Sequence, residues 1–440
     1  MKTPICDFVR RYVKSGALRL HMPGHKGSGL LGFEHLDITE IEGADSLYEA
    51  EGIIRESENN ASELFGAATF YSTEGSSQCI RAMLYLASLH AKQCGKRPHI
   101  VAARNVHKTF LSAVALLDLD VTWLEGAEPS YLSCTLTASE VEAALSAPEK
   151  PTAVYLTSPD YLGNLADIRA IAEVCHRHGA LLLVDNAHGA YLKFLSASCH
   201  PIDLGADICC DSAHKTLPVL TGGAYLHIAS ETLASQAKNA LALFGSTSPS
   251  YLILQSLDAA NKYLADGYSE KLCAFLEKVQ DLKTKLTAHG YTLLGTEPLK
   301  LTVCTKAYGY SGKAFADALL TKNIVCEFSD PDFAVMMLTP EILEEGLRRL
   351  ENAMLSIPQK AAIEECPPRF YRGETMLTVR EAMLAPTETV TATQSIGRVL
   401  AAASVGCPPA VPIAVCGERI GEETVRAFTY YGVEKITVVQ

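Results

Sequence analysis

Between residues 68 and 184 the chain alternates short apolar runs with longer segments of helical period, a rhythm that restricts it to an α/β architecture. Runs at 68–72, 99–103, 121–124, 153–157 and 181–184 predict strands; segments at 78–90, 109–117, 139–146 and 168–176 predict helices. In the last helix Ile168, Ile171, Ala172 and Cys175 fall on one face. Strands that are apolar throughout belong to a mostly parallel sheet covered on both sides, built from right-handed βαβ units. In such sheets ligands bind beyond the carboxyl ends of the strands. Five polar corners fall at strand ends here: STEGSSQ at 72–78, ARNVHKT at 103–109, TSPDYLG at 157–163, DNAHGAY at 185–191 and DSAHKT at 211–216.

Two of these corners carry a matched pair. Asp185 follows one apolar run, and Lys215 lies in the corner between the runs at 206–210 and 223–228. A strand-end aspartate and a later strand-end lysine are what a pyridoxal 5'-phosphate enzyme needs, the lysine for the Schiff base and the aspartate for the pyridinium nitrogen. His188 is placed to orient the Asp185 corner, and Ser212 and His214 flank the lysine within reach of a phosphate. Gly75, Ser76 and Ser77 open a helix, where backbone N–H groups and two hydroxyls suit an anion; an ordinary serine N-cap is the plain alternative. His107 has the flat ring that stacks on a cofactor, or it is a hydrogen-bonded structural residue. Asp160 and Tyr161 lie near the ring or simply form the turn begun by Pro159.

The flanking segments set the rest of the plan. Residues 1–54 form an N-terminal arm and loop, in which His21 and His25 sit at i and i+4, but Pro23 and Gly24 deny them the helix a metal pair would need; no metal site is expected. A large cofactor-binding domain spans 55–288 and a smaller α+β domain 289–356, with strands expected at 299–304, 324–327 and 333–338. A proline-rich linker leads to a C-terminal α+β subdomain at 376–440, read as helix, strand, loop, strand, helix, strand. The net charge of -12 and the lack of a basic cluster argue against a nucleic-acid partner, and no apolar run reaches membrane-spanning length. The 14 cysteines sit mostly in apolar runs without a C-x-x-C pair, which fits reduced thiols and a cytoplasmic setting.

Taken together, the motifs resemble the Orn/Lys/Arg decarboxylases, fold-type-I pyridoxal phosphate enzymes, in their shorter arginine decarboxylase-like branch. HMPGHKG at 21–27, RNVHKT at 104–109, DNAHGAYLKF at 185–194, SAHKTLPVLTGGAYLH at 212–227, STSPSYLILQSLD at 246–258 and the CPPAVP…CGE segment at 407–418 carry the likeness. It implies a transferase-like large domain, Lys215 as the Schiff-base lysine, His107 stacked on the cofactor, Asp185 on the ring nitrogen and His188 beside it. It also implies a homodimer or higher homo-oligomer in which Thr247 helps hold the partner's phosphate, and Glu327 near the substrate. The activity implied is α-decarboxylation of arginine, lysine or ornithine, feeding polyamine synthesis. An aminotransferase using Arg369, Arg372 or Arg398, another lyase of this fold, or a non-catalytic homologue are the alternatives. The chain departs from the family at Glu74, Asp160, Asn186, Gly222, Cys407 and Ala410. Of these, Glu74 brings an acid toward an expected dianion and Gly222 replaces a larger side chain.

Overall fold

The computed structural model describes residues 1–126, 130–148, 150–369, 372–402 and 410–440. Cys407, with Pro408 and Pro409 of the tail motif, lies outside the described residues. Seven strands follow the predicted rhythm: β1 (Ala68–Ser72), β2 (His99–Ala103), β3 (Asp120–Leu124), β4 (Ala153–Thr157), β5 (Leu181–Asp185), β6 (Ile208–Asp211) and β7 (Ala224–Ile228). The chain divides into two compact units, Met1–Arg97 with Ile168–Leu272, and Pro98–Asp167 with Cys273–Gln440.

The first unit holds β1, β5, β6 and β7. β5 and β6 run parallel, and β7 runs antiparallel to both β6 and β1. Every residue of β5, β6 and β7 is buried, as expected of strands with no polar face. Several helices belong to this unit. Among them α1 (Pro4–Ser15) and α2 (Ile53–Phe65) are joined to helix Tyr251–Ala265 through the carboxylate of Asp258. That carboxylate accepts the Cys6 N–H at 2.9 Å and the Ser57 hydroxyl at 2.6 Å. α3 (Gly75–Gln93) starts at the carboxyl end of β1 and packs on β5, β6 and β7. Two helices follow one another, Tyr251–Ala265 and Tyr268–Ala288, divided at Gly267, whose φ of 87° only glycine adopts freely.

In the second unit β2 pairs parallel with β3 and β4. Helix α4 (Lys108–Leu117) follows β2. A four-stranded antiparallel sheet comprises β8 (Leu293–Leu294), β9 (Lys300–Cys304), β10 (Phe328–Ser329) and β11 (Phe333–Met337), in the order β10-β11-β9-β8. The expected strand at 324–327 does not form. Val325 is 81% exposed, so this β-branched run has no surface to pack against, and regular pairing with β11 begins only at Phe328. In the tail β12 (Thr387–Thr391) pairs antiparallel with β13 (Lys435–Val439) around a core of Leu400, Ile420, Phe428, Ile436 and Val438. Among the described residues, the strand expected between loop and helix is reduced to isolated bridges such as Val399 with Arg419. A partly buried ion pair, Arg104 with Glu418 at 2.7 Å, ties this tail to the end of β2.

Candidate active site

The corner after β6 is a single helical turn, Ala213–Thr216, which carries Lys215. Lys215 Nζ lies 3.0 Å from His188 Nε2, and His188 stands three residues beyond Asp185 at the end of β5. Parallel pairing of β5 with β6 brings these two corners together, with Asp185 opposite Cys210. Asp185 is buried; its Oδ1 accepts the Ala187 N–H at 3.2 Å, which turns the chain toward His188. The backbone N–H and Nδ1 of His214 both meet the Gly223 carbonyl, at 3.2 and 3.0 Å. It braces the turn.

Gly75 opens α3 with a φ of 70°, and a side chain placed there would meet nothing within 4 Å. The loop is therefore open in front of the helix start. Its backbone is anchored by Gly75 N–H donating to the Gly222 carbonyl at 2.7 Å. Ser212 donates to Ser76 at 2.8 Å, so the lysine corner and the helix start share a hydroxyl pair, with Ser77 next on α3. An open, hydroxyl-lined helix N-terminus beside a lysine, a histidine and a buried aspartate fits a phosphate ester bearing an aldehyde and a basic ring nitrogen.

Two departures from the family pattern acquire physical reasons. Glu74 is exposed, and its carboxylate accepts the Ser246 N–H at 2.5 Å, tying the β1 corner to the loop that holds Thr247. Gly222 has a φ of 98°, and a Cβ there would lie 2.9 Å from the Thr73 carbonyl oxygen, so glycine permits the close approach that anchors Gly75.

A third departure belongs to a network that sequence reasoning missed. Asn186 donates from Nδ2 to Asp211 at 2.6 Å. The other Asp211 oxygen accepts from His200 and His227, both at 3.1 Å, and all four residues are fully buried. Antiparallel pairing of β6 with β7 sets Cys209 opposite His227, so the 209/211 face of one strand meets the 225/227 face of the other. Burial alone would raise the Asp211 carboxyl, but the two imidazole donors hold it well below the usual carboxylate range. Burial lowers His227, with the Asp211 charge opposing, and its Nδ1 meets the Thr69 hydroxyl at 2.9 Å. His200, Cys209 and Asp211 place ligand-type atoms within 4.8 Å of one another, but the hydrogen bonds to Asp211 account for the grouping.

His107, Asp160, Glu327 and Arg398 lie in the second unit. His107 caps α4: its Nδ1 accepts the Thr109 N–H at 3.2 Å, fixing the ring's orientation. Asp160 is a turn residue. It accepts from Ser133, Asn164 and the Leu162 N–H, and its backbone carbonyl receives buried Lys300 at 3.0 Å. Burial raises its carboxyl, with these donors opposing. Glu327 is exposed and precedes β10; Tyr161 donates to it at 3.3 Å. Arg398 is committed to Glu388 and the Val439 carbonyl. In the N-terminal loop His21 pairs with Tyr12 at 2.6 Å and His25 with Asp37 at 3.2 Å.

Comparison with known proteins decides the family. Residues 3–295 match the model of the Orn/Lys/Arg decarboxylase major domain. The chain belongs to the Orn/Lys/Arg decarboxylase family. An uncharacterised Bacillus subtilis protein, YaaO, is 31% identical over 97% of this chain and 93% of its own length. An arginine decarboxylase of the same organism is 29% identical over 96% and 92%. The fold of this decarboxylase-family chain also superposes on the lysine decarboxylase LdcF of Francisella novicida with a TM-score of 0.79 and 16% identity, covering 100% of this chain and 81% of that one. A serine palmitoyltransferase from Sphingomonas wittichii superposes with a TM-score of 0.57 over 81% of this chain, at 14% identity. The α/β class with a mostly parallel sheet is thus the fold of this family.

Proposed function

We propose that the protein binds pyridoxal 5'-phosphate and removes the α-carboxylate of arginine, lysine or ornithine as carbon dioxide. The observation that carries this reading is the contact between Lys215 Nζ and His188 Nε2 at 3.0 Å, set between the Asp185 and Ser212 corners. When bound, the cofactor supplies an aldehyde that captures amines and a ring that accepts the electrons left at Cα. Lys215 would hold the cofactor's aldehyde covalently, and its amine would exchange a proton with the substrate's Cα. His188 holds and exchanges the proton on Lys215 Nζ. Asp185, buried in an apolar strand end, keeps the ring nitrogen protonated because the two charges stabilise each other. Ser76, Ser77, Ser212 and the start of α3 hold the phosphate, and Thr247 adds to the partner's phosphate site in a homodimer. His107 offers its ring face for stacking, its orientation fixed by the Thr109 N–H. Glu327, steadied by Tyr161, takes the distal cation of the substrate.

Among the described residues no helix is long and apolar enough to cross a membrane. The thirteen described cysteines are free thiols, and burial pushes several of them upward, Cys175 to about 12. Such thiols suit the reducing cytoplasm, where polyamine synthesis would place the enzyme. The test offers arginine, lysine and ornithine together to the purified protein with added cofactor. One amine and an equal amount of carbon dioxide are expected. A keto acid product, or no absorbance from bound cofactor, contradicts the reading.

A further inference from the structure

The second unit contains a cleft of about 440 Å³, lined among others by Tyr131, Phe328, Asp330, Tyr430 and Tyr431, with exposed Lys313 at its edge. That volume is in the range of small-ligand sites. Its tyrosines form a connected aromatic wall: Tyr131 and Tyr431 meet edge to face at 4.8 Å between centroids, and Tyr430 meets Tyr431 at 4.9 Å.

Two aspartates lie at this wall, and they differ. Asp332 is paired: Lys306 Nζ lies 3.1 Å from it, and the hydroxyls of Tyr430 and Tyr431 donate to it at 2.5 and 3.4 Å. Asp330 is only 8% exposed, and one carboxylate oxygen accepts the backbone N–H groups of Asp332 and Phe333 at 2.8 and 2.7 Å. Its other oxygen is buried without a hydrogen-bond partner among the described residues. Burial pushes the Asp330 carboxyl up to about 6; the charge of Asp332 adds to this, and the backbone donors and Lys306 oppose it. At neutral pH the carboxylate is therefore mainly ionised, under-solvated and half-satisfied. Lys306 does not cure this, since it is shared among Asp332, Glu365 and the face of Tyr430. A buried polar group left unsatisfied is costly, and one retained beside a ligand-sized cleft needs a reason.

We propose that this cleft binds a small organic ammonium ion, its charge held between the tyrosine rings and Asp330. Aromatic faces attract such cations, and the attraction grows where water is excluded. A metal ion would want several oxygen ligands, and among the described lining residues Asp330 has a single unpaired carboxylate oxygen. Phe328 and Val411 suit an aliphatic remainder, and Lys313 at the edge disfavours a second positive charge there. The assignment rests on the cleft alone and stands or falls independently of the chemistry at Lys215.

The probes are tetramethylammonium and butylammonium chloride, titrated into the full-length protein against equal sodium chloride and followed by calorimetry and thermal unfolding. Tetramethylammonium has no N–H and cannot condense with an aldehyde, so its binding does not report on the Lys215 corner. Saturable binding and a rise in Tm are expected with both ions. Asp330→Asn keeps an oxygen for the two backbone donors and removes the unpaired charge; its Tm without ligand is expected to rise, while affinity falls at least tenfold. Tyr131→Leu is expected to weaken binding about fivefold. The proposal is overturned if the wild type responds to neither ion, or if Asp330→Asn binds as tightly as the wild type. Should Asp330→Asn fail to fold, unchanged affinity in Tyr131→Leu overturns it equally.

Discussion

Asp211 and Asp330 are both buried aspartates, and their surroundings push them in opposite directions. Asp211 is met by three donors, Asn186, His200 and His227, and is held ionised. Asp330 has two backbone donors on one oxygen and, among the described residues, none on the other, and is pushed up to about 6. Burial is the largest influence on each, and the count and placement of donors decides which side wins. A carboxylate whose partners are complete behaves as framework: Asp211 locks β6 to β7 and, through Asn186, to the corner after Asp185. A carboxylate left incomplete beside a cleft has capacity for something outside the chain.

The largest effect expected from breaking this contrast is at Asp211. Asp211→Ala leaves Asn186, His200 and His227 without their shared acceptor, and is expected to cost about 3–5 kcal/mol of stability. Urea unfolding checks it; a loss below about 1 kcal/mol would mean that the network is not framework. Gly222→Gln comes next. It forces a side chain into positive φ and against the Thr73 carbonyl, with an expected cost on the order of 1–3 kcal/mol. Because Gly222 anchors Gly75, cofactor affinity measured by absorbance titration should fall in the same variant.

Asp330→Asn should act with the opposite sign. An acid whose folded value is raised to about 6 is protonated more readily folded than unfolded, so its ionisation removes stability as pH rises from about 4 to 6. Above pH 7 the variant, freed of that ionisation, is expected to be more stable by about 1–2 kcal/mol, and near pH 4 the gain should vanish. Denaturant curves at the two pH values test this, and a loss at both would make Asp330 framework like Asp211. Acid acts on Asp211 in the contrary sense: its depressed carboxyl contributes stability that is retained down through the usual carboxylate range and lost below it. The smallest effect is at Glu74. Glu74→Asn removes an exposed acid from the phosphate corner and also the tie to Ser246, and cofactor affinity is expected to change by no more than a few-fold in equilibrium dialysis.

The same contrast explains what could be read from the sequence. β1, β2 and β4 fall on the bounds expected of them, because each is a short apolar run ended by a polar corner. The five corners were legible for the same reason. The run at 324–327 was misread because apolar character alone does not supply a partner, and Val325 has none to bury it. Pro159 makes the turn at Asp160 legible, but its bonds to Ser133 and Lys300 are not, since those residues reach it only in the folded chain. The Asp211 network joins positions 186, 200, 211 and 227 through strand register, which no local pattern reveals. The cleft of Asp330 likewise gathers Tyr131, Asp330 and Tyr430 from segments far apart in sequence.

Under the proposed function, Lys215, set against His188 between the Asp185 and Ser212 corners, is the residue on which decarboxylation of a basic amino acid depends. The most direct test is carbon dioxide release from whichever of arginine, lysine and ornithine the wild type consumes, measured beside Lys215→Ala with cofactor in excess. The account predicts a fall of about a thousandfold or more, corresponding to at least ~4 kcal/mol of transition-state stabilisation. Turnover in Lys215→Ala equal to that of the wild type would contradict it.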